Sequence, residues 1–223
     1  MTNTIAIIGM SGRFPKSKTT DELWKNLINK RDCITKLSKN ICINDGVNID
    51  NVNNEKYVFA KGILENADEF DAELFKFTVS QALTLDPQYR NMIEVAYEAI
   101  ENSGYAGINK PDNIGVFVGS SCMDTYYKNI INDKYTSFNP NGFFNTIYTS
   151  NDFLATLISY KLGLNGPSVS VQTACSSSLV SVCMACQSLI SNDSDMALAG
   201  GVCITTPINS GYLFEQGMML SEK

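Results

Sequence analysis

The 223-residue sequence contains no histidine. A Ser-His-Asp or Cys-His catalytic site therefore cannot be built from this chain alone, and neither can a zinc site that needs imidazole. Basic residues are also few: 17 Lys and Arg stand against 23 Asp and Glu, for a net charge of −6. No Lys/Arg-rich run occurs, so the phosphate-neutralising footprint of a nucleic-acid binder is missing. No apolar stretch is long enough to cross a bilayer, and Met1 to Gly9 has neither the basic start nor the cleavage site of a secretory signal. The seven cysteines (Cys33, Cys42, Cys122, Cys175, Cys183, Cys186 and Cys203) are odd in number and lack disulfide-framework spacing. Together these absences predict a cytoplasmic protein with reduced thiols, most of them packed as small buried hydrophobes.

What is present suits a globular chain. Hydrophobic residues make up 44% and charged residues 18%, enough for a sizeable α/β core. Thr4-Ile-Ala-Ile-Ile-Gly9 reads as a strand buried on both faces. Thr20, followed by Asp21 and Glu22, opens a helix with Leu23, Trp24, Leu27 and Ile28 at helical spacing. The Asn-, Asp-, Lys- and Ser-rich stretch from Lys36 to Lys56 shows little periodicity and reads as a surface loop. Phe70 to Phe75 is a short helical turn at most. Asp86-Pro87 is a helix cap and first turn, and Gly104 closes that helix. Met92, Ile93, Ala96, Tyr97 and Ile100 form its apolar stripe, with Arg90, Glu94, Glu98 and Glu101 on a solvated face that includes an Arg90–Glu94 pair.

Further strands are expected at Asn113–Gly119, Ser168–Gln172 and Met196–Ile204. Helices are expected from Ser150 or Asn151 to Gly163 and from Ser176 to Ser191. Strands alternating with helices call for a mostly parallel sheet covered on both faces.

From Leu162 to Asn192 there is no charged residue. Leu179, Val180, Val182, Cys183, Met184, Cys186, Leu189 and Ile190 surround the helix within that stretch, which predicts burial on all sides. Cys175 stands at the turn between the Ser168–Gln172 strand and this helix. A thiol there faces free backbone N–H groups and the positive end of the helix dipole, both of which favour thiolate. The turn also presents it at the carboxyl end of a strand, where α/β sheets place their sites. These residues alone leave two readings, a nucleophile or a small buried side chain.

Val171-Gln-Thr-Ala-Cys-Ser-Ser-Ser-Leu-Val180 resembles the active-site signature of β-ketoacyl synthases, in the form found in ketosynthase domains of modular polyketide synthases. Ile5-Ala-Ile-Ile-Gly-Met-Ser-Gly-Arg-Phe-Pro15, Asp86-Pro-Gln-Tyr-Arg90, Gly115-Val-Phe-Val-Gly-Ser120, Leu162-Gly-Leu-Asn-Gly-Pro-Ser-Val169, Ala185-Cys-Gln-Ser-Leu189 and Leu198-Ala-Gly-Gly-Val202 match the same family in order. The resemblance implies that residues 1–223 form the N-terminal half of a thiolase-like α/β fold. That half has a mostly parallel mixed sheet and a buried central helix after the nucleophile. It also implies a homodimer in which the Ser168–Gln172 strand pairs with its symmetry mate.

By the same resemblance, Cys175 is the acyl-carrying nucleophile and its backbone N–H an oxyanion donor. A malonyl-type extender then loses carbon dioxide and attacks the thioester in a Claisen condensation. The partner is an acyl carrier protein, which carries the phosphopantetheine arm. No metal or intrinsic cofactor is implied, nor nucleic acid or membrane.

Two features depart from the family. Gln172 stands where an acidic residue is usual, and the two catalytic histidines belong to the family's second half, beyond Lys223. The expectation is a truncated domain, inactive in condensation by itself and with uncovered apolar faces. The alternatives are a non-condensing acyl-transfer or scaffold module, or one chain of a split enzyme. Among lesser signals, Cys183-Met-Ala-Cys186 reads as helix core rather than a metal or redox pair. Gly119-Ser-Ser121 and Gly200-Gly201 read as turns and close packing, and Met218-Met219-Leu220 as core. Met123 to Tyr127 and Phe143-Phe144 read either as neighbours of an acyl pocket or dimer interface or as loop anchors.

Overall fold

The structure, a computed structural model, describes residues 4–107, 110–123, 126 and 143–222. In chain order the described helices are α1 (Thr20–Ile28), α2 (Lys39–Asn44), α3 (Ile49–Val52), α4 (Val79–Thr84), α5 (Pro87–Asn102), α6 (Phe143–Thr149), α7 (Leu154–Leu162) and α8 (Ser177–Ile190). The strands are β1 (Thr35–Lys36), β2 (Tyr57–Val58), β3 (Ala60–Lys61), β4 (Ile114–Ser120), β5 (Ser168–Ser170), β6 (Met196–Val202) and β7 (Tyr212–Leu213). The chain divides into two units, Met1–Ser11 with Asp68–Ile204 and Gly12–Ala67 with Thr205–Lys223.

The first unit is built on a parallel sheet in the order β5-β4-β6, with Val116 opposite both Ser168 and Leu198. All seven residues of β4 are buried, as a near-continuous apolar run in a central parallel strand requires. Ile114, Val116 and Val118 share one core with Tyr89 and Ile93 of α5 and with Leu154 and Ile158 of α7. Glycine contacts locate α8 on the other face: a Cβ built on Gly119 would meet Ser177, and one on Gly201 would meet Ser178. Gly163 ends α7 in the left-handed region at φ 61°, and Lys110 Nζ donates to the carbonyls of Leu162 and Gly163 at 2.9 and 2.7 Å.

The second unit is smaller. β1 pairs antiparallel with β3, and β2 with β7. Cys42, Val52 and Tyr57 form its core.

Several expectations are corrected. Thr4–Gly9 is not a strand: among the described residues each outer strand of the sheet pairs with β4 alone, and Ile7 is 81% exposed. Gly9 instead lies against the end of α5, close to the Ala99 carbonyl and Ser103, and just beyond it Met10 N–H donates to Asn102 Oδ1 and Ser11 Oγ to Glu98 Oε2. The Lys36–Lys56 loop contains two short helices, started by side-chain caps from Ser38 and Asn48.

Arg90 does not lie on a solvated face. It is 8% exposed and donates to the carbonyls of Leu85 and Asp68 and to Tyr126 Oη, while Glu94 accepts the Asp71 N–H. Carbonyls satisfy this buried cation, which a charge pattern cannot reveal.

Helix α8 is not buried all round. Its buried residues are Ser177, Ser181, Ala185 and Ser188, whereas Leu179 is 67% exposed and Val182 and Ile190 are also exposed. Of the seven cysteines only Cys42 is buried; Cys122, Cys175, Cys183 and Cys203 are exposed. Cys183 and Cys186 therefore do not form a buried helix core, and Met218, Met219 and Leu220 are exposed as well.

Asp86 caps α5 by accepting the Gln88 N–H at 2.7 Å while being 2% exposed. Burial pushes its carboxyl up to about 6, against the opposing pull of the Gln88 N–H and of Arg90. A raised acid pKa favours the folded state below the unfolded value, and that contribution is lost as pH rises through the folded value. Asp86→Asn keeps the cap and has no charge to bury. Urea unfolding at pH 4 and pH 7 should therefore show the Asn variant gaining on the parent by up to about 3 kcal/mol across that interval. An equal offset at both pH values would contradict this reading of Asp86.

Candidate active site

Strand β5 ends at Ser170, and Val171 continues its pairing with a 2.8 Å bond to the Val118 carbonyl. Helix α8 starts at Ser177, so five residues must reverse the chain from the sheet edge into the helix. Ala174 makes the reversal. It adopts φ 53°, a left-handed conformation that costs an L-residue about 1–2 kcal/mol. Residues Ala174–Ser176 form a 3₁₀ turn, and Cys175 projects from it into solvent.

Two serines hold the turn. Ser176 Oγ donates to the Thr173 carbonyl at 2.8 Å. Ser177 Oγ accepts the Thr173 N–H at 2.9 Å and donates to the Ala174 carbonyl at 2.8 Å. A helix N-terminus supplies free N–H groups and partial positive charge. Cys175 thus presents an exposed sulfur just ahead of the N-terminus of α8, at the carboxyl edge where parallel sheets place their chemistry.

The same edge carries a polar chain that ties the strand ends together. Gln88, fully buried on α5, accepts the Ser121 N–H at 3.0 Å and the Ser121 hydroxyl at 2.7 Å. Asn151 Nδ2 donates to Ser120 Oγ and to the Ser121 carbonyl, both at 2.7 Å. Gln172 Nε2 donates to Ser120 Oγ at 3.3 Å. Among the described residues, no group of three or more His, Cys, Asp or Glu is placed to hold a metal ion.

The family model for the β-ketoacyl synthase N-terminal domain matches residues 2–223. The chain belongs to the β-ketoacyl synthase family. It is 38% identical over 225 residues to a phenolphthiocerol/phthiocerol polyketide synthase of Mycobacterium tuberculosis, covering 98% of this chain and 15% of that protein. It is 36% identical over 206 residues to a non-reducing polyketide synthase of Aspergillus terreus, covering 91% of this chain and 8% of that one.

Among solved structures, ketosynthase twelve of the Bacillus amyloliquefaciens bacillaene polyketide synthase superposes with a TM-score of 0.83 at 31% identity, over 97% of this chain and 38% of that one. The ketosynthase from module 6 of the Bacillus subtilis bacillaene synthase gives 0.71 at 31% identity, over 94% and 32%. The fold is accordingly the thiolase-like one of polyketide synthase ketosynthases, and this chain spans a minor share of each relative's length.

In this ketosynthase chain the motif expected to hold the nucleophile is the strand-to-helix turn described above. Met123 is buried in the core of the first unit and Tyr126 bonds Arg90, which places both as anchors. Asp124, Thr125, Tyr127 and the side chains of Phe143 and Phe144 lie outside the described residues. Sequence reasoning missed the left-handed Ala174, which carries no glycine signal. The serines that follow Cys175 in the motif carry no mark of which groups their hydroxyls bind.

The seating of α8 can be tested. A Cβ on Gly119 would lie 2.7 Å from both Ser177 Cβ and the Val171 carbonyl oxygen, whereas one on Gly200 would meet only the flexible tip of Met92 at 3.0 Å. Gly119→Ala should cost about 1–3 kcal/mol by urea unfolding, and Gly200→Ala clearly less. Equal losses would contradict the tight contact.

Proposed function

We propose that this chain contributes the nucleophile-bearing part of a β-ketoacyl-[acyl-carrier-protein] synthase of polyketide type, with Cys175 as the acyl-accepting residue. The observation that carries the proposal is the exposed Cys175 on a strained strand-to-helix turn at the carboxyl edge of the sheet.

Cys175 Sγ attacks the carbonyl of an acyl thioester delivered on the phosphopantetheine arm of an acyl carrier protein. The new Sγ–C bond forms, the bond to the donor sulfur breaks, and the donor leaves as a thiol with the proton Cys175 gives up. The tetrahedral oxyanion between these events accepts a hydrogen bond from the Cys175 N–H. A malonyl-type extender then loses carbon dioxide, and its carbanion displaces Cys175 from the thioester to give the β-ketoacyl product.

The second stage needs groups that polarise the extender carbonyl. The resemblance assigns this to two histidines, and the 223 residues contain none. We place those imidazoles in residues outside this sequence, as the family's second half. No intrinsic cofactor enters the scheme, and the reading is of a cytoplasmic enzyme. A homodimer is supported by β5, which pairs with β4 on one side and has no strand on the other among the described residues.

Incubation with an acyl carrier protein bearing a short acyl chain should add one acyl mass to the chain and none to Cys175→Ala. Undiminished acylation of that variant would overturn the assignment. With malonyl carrier protein also present, the chain alone should release no β-ketoacyl product by mass spectrometry. Product release would show that imidazole is dispensable.

A further inference from the structure

Cys175 N–H belongs to the same peptide group as the Ala174 carbonyl. Among the described residues the cis peptide is Thr206-Pro207, so the Ala174–Cys175 peptide is trans. In a trans planar peptide the C=O and N–H point in opposite directions. Whatever fixes the Ala174 carbonyl therefore aims the Cys175 N–H.

Ser177 makes that contact. The Ser177 backbone N–H closes the 3₁₀ turn on the Ala174 carbonyl, and its hydroxyl adds a second bond to that carbonyl at 2.8 Å while accepting the Thr173 N–H at 2.9 Å, so the side chain links the backbone on both sides of the left-handed residue and reinforces the turn. The grip is rigid. Ser177 is 8% exposed, and its Cβ sits so close to Gly119 that a Cβ there would lie 2.7 Å away. The peptide it holds follows a residue at φ 53°, and release of that strained conformation offers a driving force for the peptide to turn over.

We propose that Ser177 is a positioning residue for acyl transfer: its hydroxyl holds the Ala174 carbonyl inward and thereby turns the Cys175 N–H outward to meet the oxyanion. This inference rests on the reading of Cys175 as the acyl-accepting nucleophile.

Two reactions at the same sulfur separate aim from folding. Transfer from an acyl thioester passes through an oxyanion. Alkylation by iodoacetamide does not: the Sγ–C bond forms as the C–I bond breaks and iodide leaves. In Ser177→Ala, acylation of Cys175 should fall at least about tenfold, with alkylation of Cys175 staying within about twofold of the parent. Ser188→Ala removes another buried hydroxyl of α8, one bonded to Ser194 rather than to the turn, and should leave both rates unchanged.

Unchanged acylation in Ser177→Ala, or an equal fall of both reactions, would overturn the proposal. A crystal structure of Ser177→Ala gives an independent decision. A turned 174–175 peptide supports the proposal and an unmoved one overturns it, even if the parent takes up no acyl group and the nucleophile assignment itself fails.

Discussion

Helix α8 approaches the sheet so closely that the meeting surfaces are reduced to glycine, serine and alanine. Gly119 has no room for a Cβ opposite Ser177, one on Gly201 would crowd Ser178 at 3.0 Å, and the helix buries Ser177, Ser181, Ala185 and Ser188. Close packing of this kind leaves little freedom for sliding or rotation. It fixes where the helix begins, and so how sharply the chain must turn after Val171. The left-handed Ala174, the serine hydrogen bonds and the exposed Cys175 follow from that constraint. The larger side chains Leu179, Val182 and Ile190 are turned away from the sheet for the same reason.

Much of the sheet was legible because a central parallel strand is apolar on both faces, and β4 reads that way in the sequence. The cap at Asp86-Pro87 and the stop at Gly163 were equally plain, since each residue type answers a specific backbone need. Thr4–Gly9 was misread because an apolar run states a preference for burial but names no partner. The inward face of α8 was misread for a different reason: size decided it, so serines went in and leucine stayed out. Arg90 and Ala174 were opaque to pattern altogether. A buried guanidinium satisfied by carbonyls looks like a surface charge in sequence, and a left-handed alanine looks like any alanine.

The amide at Gln172 fits its place. Ser120 Oγ accepts N–H bonds from both Asn151 and Gln172. A hydroxyl can accept twice and still donate, so the same serine can serve an amide or, by donating, a carboxylate. A carboxylate at position 172, which the resemblance implies is usual, would accept from Ser120 Oγ where Gln172 donates to it. The Gln88 and Asn151 bonds that hold Ser121 do not involve that hydroxyl.

Four cysteines, Cys122, Cys175, Cys183 and Cys203, are exposed, so access alone does not distinguish the one at the turn. Peptide-resolved mass spectrometry after limited reaction with a short acyl thioester is the most direct test of the account. Acyl groups on the peptide containing Cys175, with Cys122, Cys183 and Cys203 left free, are the predicted result. An even distribution over the exposed thiols would mean that the turn confers no special chemistry, and would contradict it.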